Sequence, residues 1–277
     1  MRRPRPGTSR TSPPRPSPGP RPRSGHPGRA ALGPGARAGF LVERQWAIDP
    51  SLFVDTLADR LCRGGVELVE GARVTSVREG GGRTEVRTTA GTYTADTTVI
   101  AAGVWSRELC RGLGVDIDLM PGKGYSFSVP VDPLPSRLIH LGAAKAVLTP
   151  LGKRLRIAGT MEFDHDPDRF RQGRVDAIIA ATRPCLRGAD WERREQEWMG
   201  PRPMTPDGLP LIGRVPGTSG VLLATGHNML GLMLGPATGR LVTGLLTGGA
   251  DPGLAARFDP ARTARRRRGG VRVGVSG

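Results

Sequence analysis

Residues 225–239 read TGHNMLGLMLGPATG and follow directly on the apolar run VLLA at 221–224. A strand entering a turn at Gly226, His227 and Asn228, then a helix spaced by glycine and alanine, directs free backbone N–H groups at whatever lies ahead. Gly226, Gly231, Gly235 and Gly239, with Ala237, leave one helix face open to a close neighbour, while Leu241, Val242, Leu245 and Leu246 form an apolar stripe. Pro236 suits a first helical turn, so the regular helix is expected to start near it. His227 has two readings, a general base or a ring that caps and packs.

Two further stretches carry chemistry. In TTVIAAGVWS, 97–106, a buried strand ends in Ala101-Ala102-Gly103, where a flat ligand could approach the backbone at the carboxyl end of a strand. Trp105 beside it reads equally as packing. In GPRPMTPDGLPLIG, 200–213, Arg202 lies between Pro201 and Pro203, which restrict the backbone on both sides. A pre-ordered guanidinium suits bidentate capture of a carboxylate, although an arginine beside prolines can equally sit idle on a surface.

Outward from these stretches the chain divides by composition. Formal net charge is +16, yet residues 1–38 hold nine arginines and residues 261–277 six, with no acid in either. About +1 is left for residues 39–260, so the folded part is nearly neutral and a basic nucleic-acid face is not expected. Residues 1–38 contain ten prolines and few large apolar side chains, and are expected to be disordered, as is the basic tail 261–277. The first segment reads as a polybasic arm for nucleic acid or anionic membrane, or as text without folded work, such as a shifted frame in GC-rich DNA produces.

Within 39–260 the periodicity supports an α/β fold. Asp49-Pro50 caps a helix through SLFVDTLADRLCR with Leu52, Phe53, Leu57 and Leu61 on one face, stopped by Gly64-Gly65. Strands are expected at VELV (66–69), ARVTSVRE, TEVRTTA, GTYTA and TTVIAAG. Residues 113–203 read as a second, antiparallel-sheet unit inserted between 39–112 and 204–260, with a helix in FRQGRVDAIIAATRPCL turning Val175, Ile178, Ile179 and Leu186 inward. Cys62, Cys110 and Cys185 lack metal or disulfide spacing, and no run is apolar enough to span a bilayer. The cysteines fit a reducing cytoplasm, so a cytoplasmic location is expected, with peripheral contact at the inner membrane face as its variant.

TTVIAAGVWS, MPGKGYSF, RPMTPDGLPLIG and LLATGHNMLGLMLGPATGRL, in this order, resemble the carboxyl-terminal portion of the FAD-dependent D-amino acid dehydrogenase and glycine oxidase family. The resemblance covers about residues 39–260. It implies a Rossmann-like FAD-binding domain, with an inserted substrate domain. The implied activity is oxidative deamination of a small amino acid by hydride transfer to flavin, and glycine, sarcosine or hydroxyproline oxidation is the neighbouring alternative. Carried over, it places the Val74 backbone at the adenine, and Ala102, Gly103 and Trp105 along the flavin. Gly226, His227, Asn228, Met229, Leu230 and Gly231 fall at the flavin ring, Arg202 on the substrate carboxylate and Tyr125 in the substrate site. The family's opening strand, GxGxxG turn and helix have no counterpart in this text. The FAD-binding domain is therefore expected to be truncated. A non-catalytic remnant, or the second half of a split enzyme with a separately encoded first half, is the alternative to an active oxidoreductase.

Overall fold

The structure, a computed structural model, describes residues 31–44 and 46–266. Its first helix, α1 (Pro50–Arg63), forms where the local signals place it. Asp49 accepts the N–H groups of Ser51 and Leu52 at 3.0 and 3.2 Å, Pro50 opens the first turn, and Gly64 returns its N–H to the last carbonyls. No residue of α1 is buried, however, and Leu52 is 65 % exposed. The VELV segment is a correction: it runs unpaired and exposed, because a strand needs a neighbour for its N–H and C=O groups and none of the described residues lies beside it.

A meander follows in β1 (Val74–Gly80), β2 (Arg83–Thr88) and β3 (Gly91–Ala95), with Val77 opposite Val86 and Val86 opposite Tyr93. Gly81 and Gly82 both take positive φ in the turn that joins the first pair. The short β4 (Thr98–Ile100) then leads through a 3₁₀ turn at Gly103–Trp105 into α2 (Ser106–Gly112) and β5 (Val115–Asp116). Asp116 accepts bidentate bonds from Arg107 and Arg111, which together hold its carboxyl well below the usual range.

The segment 120–204 builds an antiparallel sheet from β6 (Met120–Val129), β7 (Ile139–Leu141), β8 (Ala146–Leu151) and β9 (Arg154–Phe163), covered on one face by α3 (Gln172–Thr182), with β10 (Glu195–Met204) closing it. The order is β10-β6-β9-β8-β7. Alternate residues Tyr125, Phe127 and Val129 point into the core with Leu148, Leu155, Ile157, Val175 and Ile178, while Leu186 joins them just past the helix. Pro201 and Pro203 sit within β10 rather than in a loop. An edge strand tolerates them, since one side of it makes no ladder bonds.

The chain then returns to β4 and completes a separate three-stranded sheet. β11 (Leu211–Arg214) pairs antiparallel with β12 (Val221–Thr225), which runs parallel to β4, in the order β11-β12-β4. Ile100, Leu211, Val221 and Leu223 pack with Val77, Cys110 and Ile117 in a second core cluster. Burial there pushes the Cys110 thiol up to about 12. α4 (Gly231–Thr247) follows, then α5 (Pro252–Phe258) and β13 (Arg265–Arg266) on β5. α4 corrects the expected start: it begins at Gly231, so Pro236 lies inside the helix and leaves the Leu232 carbonyl without its i+4 donor. Of its expected stripe, Leu241 is buried and Leu246 stays exposed.

Both expected disordered segments need correction where they are described. Ala31 is buried in the larger core, Leu32 bridges Leu186, and Gly33 and Gly35 donate to the carbonyls of Cys185 and Pro184 at 2.9 Å. A side chain at Gly33 or Gly35 would collide with the Pro184 carbonyl, so small residues there fit an added edge rather than a free arm. At the other end Arg262 forks onto Asp207 at 2.8 and 3.3 Å, and Arg265 pairs with Asp116. The rest of both segments, residues 1–30 and 267–277, lies outside the described residues.

Candidate active site

The carboxyl ends of parallel β4 and β12 lie side by side, and each strand leaves through a glycine. Gly103 has φ +56° and Gly226 φ +78°, left-handed values that side chains resist. Thr225 closes the two ends together, donating its hydroxyl to the Gly103 carbonyl at 2.9 Å. At Gly226 a Cβ would sit 2.7 Å from the Thr205 side chain, so glycine is required there by contact as well as by torsion. Open α/β sheets bind ligands at such paired carboxyl ends.

Asn228 fastens this turn to the strand bearing Arg202. Its backbone N–H donates to the Pro203 carbonyl at 3.1 Å, its Oδ1 accepts from the Thr205 N–H at 3.1 Å, and its Nδ2 donates to the Gly208 and Gly226 carbonyls, each at 3.0 Å. With φ +52° and its backbone N–H, Oδ1 and Nδ2 all engaged, Asn228 is a staple. His227 shares a 2.8 Å hydrogen bond with the Thr238 hydroxyl of α4, and burial lowers its pKa. That bond supports the packing reading over the base. Leu234 N–H to Leu230 C=O marks the start of the ladder, so the amides of Gly231, Leu232 and Met233 have no intrahelical partner. Met229 and Leu230 stand exposed in front of them.

A cleft of about 410 Å³ opens between these elements, with Trp105, Trp198, Arg202, Ser126 and Asn228 on its walls. The Arg202 guanidinium lies flat on β6, where a Cβ at Gly124 would overlap it. Its contacts with protein are long and neutral: Gly122 C=O at 3.4 Å and Met161 Sδ at 3.8 Å. Burial lowers its pKa, but a guanidinium stays charged, and no carboxylate among the described residues pairs with it. Most of its five donors therefore face the cleft unsatisfied.

The expected residues are distributed unevenly around this cleft. Trp105, Asn228 and Arg202 converge on it; Gly103 and Gly226 flank its strand ends; Val74 opens the meander and does not line it. Tyr125 also lies along the cleft. Strand alternation sends its ring to the opposite face, where the hydroxyl donates to Glu162 Oε2 at 2.6 Å and the ring meets Phe170 edge-on. Beneath it Lys123 is wholly buried, donating to Asp164 and to the Asp166 and Arg169 carbonyls at 3.0–3.1 Å. Sequence reasoning missed Gly124, Ser126 and Trp198. The signal for the first two was available, since Gly122, Gly124 and Ser126 alternate as small residues on the face that receives Arg202.

Residues 22–245 match the DAO family, described as FAD dependent oxidoreductase. The chain is 35 % identical over 223 residues to a D-amino acid dehydrogenase of Cereibacter sphaeroides, covering 77 % of this chain and 51 % of that protein. It is 38 % identical over 210 residues to an uncharacterized oxidoreductase of Halorhodospira halophila, covering 73 % of this chain and 87 % of that one. Glycine oxidase from Geobacillus kaustophilus superposes with a TM-score of 0.64 at 28 % identity, over 78 % of this chain and 57 % of that structure. The chain thus spans about half the length of the dehydrogenases it matches. The family match starts inside the arginine- and proline-rich text, in keeping with the order found from Ala31. Strand ends, glycine turns, antiparallel sheet and sequence agree, and the chain belongs to the FAD-dependent oxidoreductase family.

Proposed function

We propose that this chain carries the substrate-binding and flavin-ring side of an FAD-dependent amino acid oxidoreductase that oxidatively deaminates a small D-amino acid. The observation that carries it is the Arg202 guanidinium, charged, half-enclosed and without an acid partner, in a cleft walled by tryptophan. Such a group binds a carboxylate in two parallel hydrogen bonds and fixes the orientation of the carbon next to it. Bound FAD supplies the hydride acceptor. The chain's residues fit one edge of its ring: Gly103 leaves open space at a strand end, and the free amides of Gly231, Leu232 and Met233 offer donors and a positive helix end to an electron-rich edge. The units 39–112, 113–203 and 204–260 are proposed to serve as cofactor, substrate and returning cofactor segments, with Val74 at the adenine. Arg202→Met tests the clamp. It should weaken D-norvaline binding at least about tenfold, the loss expected for a charged hydrogen-bonding partner; unchanged binding rejects the clamp.

A second reading is favoured by the exposed apolar residues. Trp46 is 93 % exposed, and the stripe of α1, Val66, Leu68 and Val69 are exposed as well. A surface of this kind fits a covering unit, and the strand, glycine turn and helix that would hold the FAD pyrophosphate are not found among the described residues. We infer that such a unit, continuous with this polypeptide or separately encoded, completes the site, and that this chain alone is impaired in holding FAD. Titration of the purified chain with FAD, alone and with a separately expressed dinucleotide-binding half, distinguishes the two. Stoichiometric yellow protein without the added half rejects the need for it.

A further inference from the structure

Ser126 stands two residues beyond Gly124 on the same face of β6, about 7 Å along the strand from the point where Arg202 lies. Its side chain is buried, the residue being 7 % exposed, and it forms part of the cleft wall. Arg156 Nη2 donates to Ser126 Oγ at 2.7 Å. A guanidinium can only donate, so the Ser126 hydroxyl accepts in this bond and its own proton is left to give away. Among the described residues nothing receives that proton. A buried hydroxyl with an unspent donor, on the wall of a cleft, is costly unless an incoming group accepts it.

Arg156 defines what that group is. Its other bonds go to neutral oxygens, Ser128 Oγ at 3.3 Å and the Gln196 carbonyl at 2.9 Å. No carboxylate among the described residues pairs with it, and burial lowers its pKa, as at Arg202. Two guanidinium groups therefore stand on one sheet face without counter-ions, and Ser126 relays the second to the cleft. Trp198, opposite Ser126 in the ladder, leans its ring over Gly200 and lines the same cleft.

We propose that Ser126, positioned and polarised by Arg156, is a specificity-determining residue that receives a carboxylate on the substrate's side chain. The cleft then takes a dicarboxylic amino acid, with its α-carboxylate on Arg202 and its distal carboxylate on Ser126. This rests on the Arg202 reading. The spacing suits a side chain of one or two methylene groups, and the distal group gains from the uncompensated charge behind the hydroxyl.

Calorimetry on the full chain with D-glutamate and D-norvaline tests it without turnover, since these ligands differ in the distal carboxylate. D-glutamate should bind at least about tenfold more tightly, the effect of one charge-assisted hydrogen bond. Ser126→Ala should remove that preference by weakening D-glutamate, while Ser126→Thr, which keeps the hydroxyl, should retain it. Equal binding of the two ligands by the unaltered chain, binding of neither, or identical behaviour of the alanine and threonine variants overturns the proposal. Arg202→Met should weaken both ligands in parallel. If it leaves both unchanged while the Ser126 preference holds, the α-carboxylate clamp falls and the distal site stands.

Discussion

The sheet that carries Arg202 and the helix α1 are both written in strongly patterned sequence, and they end in opposite environments. Phe127, Leu155 and Ile157 are wholly buried, whereas α1, with capping aspartate, first-turn proline and glycine stop all in place, buries nothing. Local chemistry decides that a helix forms; only a packing partner makes its apolar face contribute to stability. The largest expected effect follows from that contrast. Phe127→Ala should cost about 3–5 kcal/mol in urea unfolding, the range for an aromatic removed from a packed core. Leu57→Ala, on the open face of α1, should stay within about 0.5 kcal/mol in the isolated chain. A large cost at Leu57 would mean that α1 is covered in solution, and the comparison would break. Addition of the proposed dinucleotide-binding unit should raise the Leu57 cost and leave that of Phe127 unchanged.

A middle-sized effect is expected beneath the cleft. Burial raises the Glu162 pKa, but hydrogen bonds from Tyr125 and Arg174 outweigh it and the net shift is downward. The same environment pushes the Tyr125 hydroxyl up to about 12, burial first and the Glu162 bond second. Tyr125→Phe removes one donor from a buried carboxylate that still keeps Arg174 at 3.2 Å and Lys123 at 3.6 Å. The cost should be about 1–3 kcal/mol by urea unfolding. D-norvaline affinity should hold, because the hydroxyl faces away from Arg202. A selective loss of affinity at unchanged stability would show that the Tyr125 hydroxyl acts on the substrate.

These two regions also mark where the sequence was legible. The meander, the long antiparallel strands and the α3 face followed from period-two and helical patterns, which packing within the chain reinforces. VELV has the composition of a strand, but a ladder requires a neighbour, and no pattern within four residues reveals whether one exists. Ala31 and Leu32 were hidden for the converse reason: their edge pairing with Leu186 uses backbone groups and small residues, which leave no apolar signature. At the cleft, Arg202 and the glycine turns were visible as motifs. Ser126 and Arg156 were not, since their meaning arises only when β6 and β9 pair. The resemblance placed Tyr125 at the substrate site but not its side-chain direction, which one residue of register decides.

The smallest effect separates the two regions by pH. Burial lowers the His227 pKa, so the unfolded chain takes up a proton at that residue before the folded chain does. The stability His227 contributes is present above the ordinary histidine value of about 6.5 and is lost as pH falls through and below it. Glu79, Asp116 and Glu162 are also shifted down, but as carboxylates they release their contributions only below about pH 4–5. Between about pH 7 and 5 the decline in Tm therefore reports His227 and the Thr238 bond that ties the glycine turn to α4. His227→Gln, which cannot titrate, should flatten that decline while keeping a hydrogen-bonding side chain, and the loss below about pH 4 should remain. An unchanged slope would show that the ring is hydrated in solution and that the turn is held by Asn228 alone.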